Sequence, residues 1–189
     1  MVALPKRFPE PNVKFNSRKF KEAIIYIARK SENDERFGAV KLNKILFYAD
    51  FSAYRELGRA LTGANYQHLD EGPAPHQLVP VREDMIQNGD IKPINSPYYG
   101  KKQKRIMALR EPDNSVFSSQ ELKYLDHEIK RLWDMNAEDV KTESHKEFGY
   151  KLTEDNEIIP YAFSYLLSRP ITQSEIDVGL KVAKRHKFG

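Results

Sequence analysis

Apolar residues recur with the period of an α-helix in two segments near the start of the chain. In residues 17–30, with Ser17 taken as the N-cap, the apolar positions are Phe20, Ile24, Ile27 and Ala28. In residues 40–57 the apolar positions cover most of the circumference, and Gly58 ends the segment. A helix that is apolar on most sides is normally buried in the middle of its domain. The pattern therefore predicts a helix with one apolar face followed by a central buried helix.

The next part of the chain alternates between strand-like and helical patterns. Thr62-Gly63 marks a turn, and residues 66–70 alternate in the manner of a short strand. Gly72-Pro73-Ala74-Pro75 then closes this segment as a turn whose two prolines exclude a helix. We expect a third helix over residues 76–87, ended by Asn88-Gly89. Residues 91–94 and 105–109 predict a hairpin with a long tip at residues 98–102.

Capping signals mark the helices of the second half. Ser118 with Glu121 predicts a helix to about residue 134, and Asn136 predicts a shorter one toward residue 145. Pro160 opens a short helix, and Thr172 with Glu175 predicts a last one. We expect an extended arm over residues 1–16 and one domain over residues 17–189. The predicted fold class is α-rich α+β, with six to seven helices around a buried central helix and a small antiparallel sheet.

The composition of the chain excludes several kinds of functional site. The chain has 189 residues, 31% of them charged, and no cysteine, which excludes disulfides, thiolate metal sites and cysteine nucleophiles. Its net charge of +4 is mild, and basic residues are mixed with acidic ones. No apolar run approaches the roughly 18 residues that span a bilayer, and residues 1–16 lack the apolar region of a signal peptide. We expect a cytoplasmic protein.

The sequence contains few candidates for catalysis. It has no P-loop, GxGxxG, GxSxG or HExxH motif, and its five histidines are scattered, so we predict no enzyme activity, cofactor or metal. His68 with Asp70 or Glu71 could form an acid/base couple of a hydrolase. The polar side of a water-facing strand explains the same residues better. Ser144-His145 could likewise act in catalysis, but capping of backbone groups is the preferred interpretation.

One segment suggests nucleic acid. Residues 98–105 combine two tyrosines with four basic residues at the predicted hairpin tip, which would suit the wing of a winged-helix protein. The first two helices would then form a helix-turn-helix pair. However, the supposed recognition helix, residues 40–57, offers few basic groups. A solvated loop or an acidic protein partner is the alternative explanation, and we regard nucleic acid as the less favoured partner.

A series of short motifs resembles the Panacea domain, the family of SocA-like antitoxins. The series is Lys41-Leu42-Asn43-Lys44-Ile45-Leu46-Phe47-Tyr48-Ala49-Asp50, then Gly58, Leu61-Thr62-Gly63, Tyr66 and Gly72-Pro73-Ala74-Pro75. Ser118 to Glu121 and Ser144-His145 are also similar to later motifs of the family. Ala74 departs from the family pattern, in which a larger aliphatic residue is common, and residues 156–189 have no match.

The resemblance implies a bacterial or phage antitoxin that neutralises a protein toxin encoded beside it. Members of the family usually act by direct contact, whereas the SocA type delivers its toxin to a protease, which makes a protease or chaperone a further possible partner. Tyrosines suit interface anchors, and a turn held by prolines is preorganised for binding. We predict that two segments contact the partner: Tyr48, Tyr54, Tyr66, His68, Glu71, Pro73 and Pro75 in the first, and Tyr98, Tyr99, Lys101 and Lys102 in the second.

Overall fold

The computed structural model describes residues 13–98 and 101–166, and for residues 97, 98, 101 and 102 it describes the backbone alone. The first twelve residues of the expected arm, Tyr99 and the predicted helix at Thr172 lie outside the described residues. The division into an arm over residues 1–16 and a domain over residues 17–189 therefore stays a prediction. No helix in the described part is long and apolar enough to span a membrane.

The first two helices follow the predicted pattern closely. Helix α1 spans Ser17–Lys30 and helix α2 spans Ala39–Leu57. Ser17 is not the N-cap of α1, because the side chain of Asn16 accepts the Lys19 N–H at 3.0 Å. Gly58 ends α2 in the left-handed conformation, with φ of 69°, which glycine adopts without a steric penalty. The twelve buried residues of α2 confirm that it is the central helix.

The strands are arranged in two small antiparallel sheets. Strands β1, Tyr66–Gln67, and β2, Ala74–Pro75, form one pair, so the second half of the Gly-Pro turn is itself a short strand. After helix α3, Leu78–Gln87, strands β3, Ile91–Tyr98, and β4, Lys101–Ala108, form the hairpin. These strands are longer than predicted, because Tyr98 pairs with Lys101 in the ladder. The long tip predicted at residues 98–102 is therefore wrong.

Three further α-helices complete the described part. Helix α4, Ser119–Arg131, begins with the predicted capping box of Ser118 and Glu121, and helix α5, Ala137–His145, begins with the predicted cap Asn136. The four-residue helix α6, Phe148–Lys151, was not predicted. The short helix after Pro160 is a 3-10 helix, Tyr161–Tyr165, and another 3-10 helix spans Asn114–Val116.

Helix α2 lies in the middle of these elements. It packs against α1, α4, α5, β2 and the 3-10 helix Tyr161–Tyr165. Aromatic rings connect α2 to the last of these, because Phe51 stacks on Tyr161 with ring centres 4.7 Å apart. The six described α-helices, one of them buried at the centre, together with the two small sheets, confirm the α-rich α+β fold.

The turn after α2 packs tightly against the start of the described chain. Gly63 has a φ of +71°, and a Cβ atom there would lie 2.3 Å from the carbonyl oxygen of Lys14. The Asn16 N–H donates to the Thr62 carbonyl at 2.8 Å beside this contact. Glycine is therefore required at position 63 by both its backbone conformation and its lack of a side chain.

Gly63→Ala should destabilise the protein by about 2 kcal/mol more than Gly89→Ala. Gly89 is the matched control because its φ is +73° and a Cβ atom there would meet no other atom within 4 Å. Both variants place alanine in the left-handed region, but only Gly63→Ala also forces the Lys14 backbone to move. Urea denaturation of the two variants measures the difference, and equal losses would contradict the close approach.

Candidate functional site

The central helix carries three buried charged side chains that the sequence analysis treated only as parts of a motif. Lys41, Lys44 and Asp50 are all buried although α2 is otherwise largely apolar. Buried charges are tolerated when other groups of the protein compensate them. Each of the three indeed reaches a segment outside α2, so the motif positions act as attachment points for the surrounding loops.

Lys41 connects the loop before α2 to the end of α4. Its Nζ donates to the Asp34 carboxylate at 2.7 Å and to the Trp133 carbonyl at 2.9 Å. Burial lowers the pKa of Lys41, and the bond to Asp34 opposes that shift. The ion pair is almost completely removed from water. Breaking such a pair from one side is strongly destabilising, so Lys41 holds the two segments together.

Lys44 connects helix α2 to the Gly-Pro turn. Its Nζ donates to the carbonyl of Glu71 and, at 3.0 Å, to the carbonyl of Pro73. Burial lowers the pKa of Lys44 to about 7, while the nearby Glu71 raises it and Lys141 lowers it further. Position 72, next to Lys44, has no room for a side chain, because a Cβ atom there would lie 2.3 Å from the Ser144 hydroxyl oxygen. The turn is therefore fixed against both α2 and α5.

Asp50 holds the start of the loop that precedes β1. Its carboxylate accepts the Thr62 N–H at 2.6 Å, the Tyr66 hydroxyl at 2.7 Å and the Thr62 hydroxyl. A fourth, longer bond comes from the Gly63 N–H at 3.3 Å. Burial raises the pKa of Asp50, and these hydrogen bonds oppose the rise. Asp50 thus satisfies several buried donors at once.

These contacts show where the first predicted binding segment lies. Tyr66 is fully buried, and a side chain without exposed surface cannot contact a partner in this conformation. Four other predicted contact residues are also buried: Tyr48, Tyr54, Pro73 and Pro75. His68 is partly exposed and Glu71 is exposed. Most of the residues predicted for this segment therefore belong to the core that supports its surface.

The acid/base couple considered at His68, which was the less favoured interpretation, does not form in this structure. The His68 Nδ1 lies 3.1 Å from the Thr153 hydroxyl, which itself donates to the Gly149 carbonyl, so His68 is the donor of this bond. Its Nε2 lies 3.6 Å from Asp155. Glu71 instead pairs with Lys141 at 3.1 Å. The histidine is thus held by residues that follow α6, and neither Asp70 nor Glu71 is its partner.

The Ser144-His145 segment has a packing role. The Ser144 hydroxyl donates to the Lys141 carbonyl at 2.8 Å within α5. The His145 ring stacks on Tyr150 at 4.2 Å, and the His68 ring stacks on Tyr150 at 3.6 Å. Burial lowers the pKa of His145, with Lys141 and Lys44 adding to the effect. Residues 13–98 and 101–166 contain no group of three or more acidic or histidine side chains that could hold a metal ion.

The helix-turn-helix interpretation is not supported by the packing. In that interpretation α2 would enter the major groove of DNA, which requires an exposed face with basic or polar side chains. The lysines in the first half of α2, Lys41 and Lys44, are instead buried and bonded to loops. The side chains of Tyr98, Lys101 and Lys102 lie outside the described atoms, and Tyr99 lies outside the described residues.

An open groove of about 710 Å³ lies among the described residues. Helices α2 and α4 form two of its sides, and the segment from α5 to α6 and the end of the 3-10 helix Tyr161–Tyr165 close it. We call it the α2–α4 groove. Its lining consists of Phe47, Tyr48, Phe51, Ser52, Arg55, Glu56, Gln120, Lys123, Tyr124, His127, Glu128, Arg131, Glu143, Glu147, Gly149, Phe163, Ser164 and Leu166.

The groove combines an aromatic side with a charged one. The guanidinium of Arg131 lies 4.2 Å from the centre of the Tyr48 ring and pairs with Glu128 at 2.7 Å. The Tyr124 hydroxyl donates to Glu56 at 2.8 Å. Burial raises the pKa of the Glu147 carboxyl, Arg131 and Arg55 oppose that rise, and Glu143 adds to it. An apolar concave surface with a few charged groups is the usual form of a binding site.

Sequence reasoning found only one residue of this groove, Tyr48. The other walls come from helices that are separated from α2 by more than sixty residues, as the bond between Tyr124 and Glu56 illustrates. The local signal was the capping box of α4, which predicted the helix but not its polar residues as part of a site. The groove is therefore a product of how α2 and α4 pack.

Comparison with known proteins identifies one matching family. A family described as "Antitoxin SocA-like, Panacea domain" matches residues 42–150. The match includes most of α2, the Gly-Pro turn and all of α4 and α5. It covers more than half of the chain and extends over three of the elements that line the α2–α4 groove. No curated protein matches the chain significantly.

Proposed function

The chain belongs to the SocA-like antitoxin family that carries the Panacea domain, and on this basis we propose that it binds and neutralises a cognate protein toxin. The observation that supports this proposal is the family match over residues 42–150. We further propose that the protein acts without catalysis, in the cytoplasm of a bacterium or in phage-infected cells, on a toxin encoded next to it.

The α2–α4 groove is the surface we propose for toxin contact. The groove has Phe51 and Tyr124 on facing helices, each with less than a tenth of its surface exposed, so its accessible lining consists mainly of charged and polar side chains. Charged groups that complement a partner increase the association rate and the specificity of binding. The polar side chains of the groove are partly preorganised, since Tyr124 is bonded to Glu56 across the two helices and Arg131 to Glu128, which lowers the ordering cost of binding.

Co-expression with the product of the adjacent gene tests the proposal. We expect the neighbouring protein to arrest bacterial growth when it is induced alone, and this chain to relieve the arrest and to co-purify with it as a 1:1 or 2:2 complex. Direct inhibition requires the toxin level to stay constant during the rescue. A toxin level that falls only when this chain is present would identify delivery to a protease instead.

A matched control separates binding from expression effects. Glu83→Gln changes an exposed carboxylate on α3, outside the groove, and is expected to rescue growth as the unchanged protein does. If the unchanged protein neither relieves the arrest nor forms a complex with the neighbouring protein, the antitoxin proposal is wrong.

A further inference from the structure

We propose that the α2–α4 groove receives a lysine or arginine side chain of the toxin, and that the Glu147 carboxylate is its counter-ion. This inference rests on the proposed function and names the chemistry of the partner at the same site. Three observations carry it: a carboxylate without a direct partner, two buried hydroxyls that make no hydrogen bond of good geometry, and an excess of carboxylates over cations in the lining.

Glu147 is a partly buried carboxylate that no described side chain pairs with directly, although Arg131 and Arg55 lie near enough to oppose the rise of its pKa. Its side chain makes no hydrogen bond or ion pair with the described residues, although it lines the groove. The cations closest to it are already engaged, since Arg131 pairs with Glu128 at 2.7 Å and Arg55 with Glu56 at 3.4 Å. Burial and the nearby Glu143 both raise the pKa of Glu147. An incoming cation would relieve this unfavourable environment.

Two hydroxyl groups at the groove also make no hydrogen bond of good geometry, although the Tyr48 hydroxyl lies near the Arg131 guanidinium. The side-chain oxygens of Tyr48 and Ser164 are buried, both residues are only 8% exposed, and neither oxygen makes a hydrogen bond of good geometry to a described residue. Both residues line the groove. A buried hydroxyl left unsatisfied costs about 1 to 3 kcal/mol, so a bound group that supplies hydrogen bonds is favoured there. An ammonium or guanidinium group carries several N–H donors and can satisfy both oxygens along with Glu147.

The aromatic residues of the groove contribute little accessible surface. Phe51 and Tyr124 are 7% and 9% exposed, so only their exposed edges can contact the methylene groups of a lysine or arginine. A cation next to an aromatic face gains an electrostatic attraction, as Arg131 already shows on Tyr48. An acidic side chain would lack this attraction.

The charge balance of the whole groove agrees with a cationic guest. Its lining contains four carboxylates and three cationic side chains, so the groove has an excess of one negative charge when His127 is neutral. Complementary charge increases the association rate and discriminates against wrong partners. The toxin segment that enters the groove is therefore expected to be basic and apolar, with the basic side chain at Glu147.

Glu147→Gln tests the counter-ion. Titration calorimetry with the product of the adjacent gene as the probe should show roughly 10- to 100-fold weaker binding, because a buried charge on the toxin loses its partner. Glu83→Gln is the control on an exposed face and should bind unchanged. Because Glu147 is unpaired in the free protein, its substitution should leave thermal stability unchanged or raise it. If Glu147 had a purely structural role, the substitution would lower the thermal stability.

A charge exchange and a cross-link identify the occupant. The photo-reactive residue benzoylphenylalanine in place of His127, which is exposed at the groove, should cross-link to a basic segment of the neighbouring protein. Glu147→Lys should then abolish binding, and replacing the cross-linked lysine or arginine of the toxin by glutamate should restore it. Cross-links to residues 167–189 of the same chain, or to a second copy, would overturn the inference.

The failures of the two proposals are distinguishable. A stable complex with unchanged affinity in Glu147→Gln overturns the cationic guest and leaves the antitoxin function in place. The absence of any complex with the unchanged protein overturns both, because the groove would then have no toxin to receive.

Discussion

Asp50→Ala is expected to lower the free energy of unfolding by about 3 to 5 kcal/mol. The Asp50 carboxylate is completely buried and accepts bonds from Thr62 and Tyr66 at 2.6 and 2.7 Å. Alanine would leave the Thr62 N–H, the Thr62 hydroxyl and the Tyr66 hydroxyl as buried donors without acceptors. Each unsatisfied donor costs about 1 to 3 kcal/mol, and the loop between α2 and β1 can relax only in part. Urea denaturation followed by circular dichroism measures the loss.

Two comparison variants isolate the hydrogen bonds of Asp50 from its charge. Asp50→Asn keeps one carbonyl acceptor and should lose less stability than Asp50→Ala. Asp134→Ala removes a carboxylate whose side chain is 95% exposed and 3.9 Å from Arg36, so it should change stability by no more than about 0.5 kcal/mol. Similar losses in Asp50→Ala and Asp134→Ala would show that the buried network does not hold the loop.

The second large effect is a dependence of stability on pH that originates at Lys44. The pKa of Lys44 is lowered by burial to about 7 in the folded protein, from 10.5 as its ordinary value. Between these two values the unfolded chain binds a proton that the folded protein does not. Folding is therefore disfavoured by Lys44 below pH 7, and the stability rises as the pH increases from about 7 to about 10. The slope reaches about 1.4 kcal/mol per pH unit.

The geometry around Lys44 is compatible with the neutral amine. A neutral amine retains two N–H groups, which suffice for the carbonyls of Glu71 and Pro73. Deprotonation therefore keeps the Gly-Pro turn attached while it removes the cost of a buried charge. The total change across the window is on the order of 4 to 5 kcal/mol.

Lys44→Met is the control for the pH dependence. Methionine has a similar length and cannot be protonated, so the variant lacks the Lys44 contribution at every pH. Urea denaturation measures the free energy of unfolding of both proteins between pH 6.5 and roughly 10. The difference between the two proteins removes the contribution of the other titrating groups. With increasing pH the free energy of unfolding of the unchanged protein should rise relative to that of Lys44→Met. Parallel curves would show that Lys44 has the same pKa in the folded and unfolded states.

Local sequence signals predicted the helices well because helix formation depends on residues three and four positions apart. The capping box at Ser118 and the cap at Asn136 were correct, since each is a contact within one turn. The cap of α1 was misplaced by one residue. Asn16 and Ser17 are both residue types that can cap a helix. Asn16 is the cap in this structure, and its N–H also donates to the carbonyl of Thr62, which is distant in the sequence.

The polar residues of α2 could not be interpreted without the surrounding loops. In the sequence, Lys41, Lys44 and Asp50 interrupt an apolar pattern, and nothing local indicates whether they face water or the interior. Their partners lie outside the helix: the carbonyls of Trp133 and Pro73, and the backbone N–H of Thr62. The same uncertainty affected His68, whose polar neighbours in the sequence are not its partners in space.

The sequence alone determined that a buried helix with a glycine stop lies at the centre of an α-rich domain, and its motifs indicated the antitoxin family. Periodicity and caps are properties of consecutive residues, so they can be read from the chain. Only the tertiary structure decided which buried charges hold the loops and where the groove lies. Tyr48 and Glu147 come to line one groove because α2, α4 and the segment from α5 to α6 pack together, and that packing depends on contacts between residues far apart in the chain.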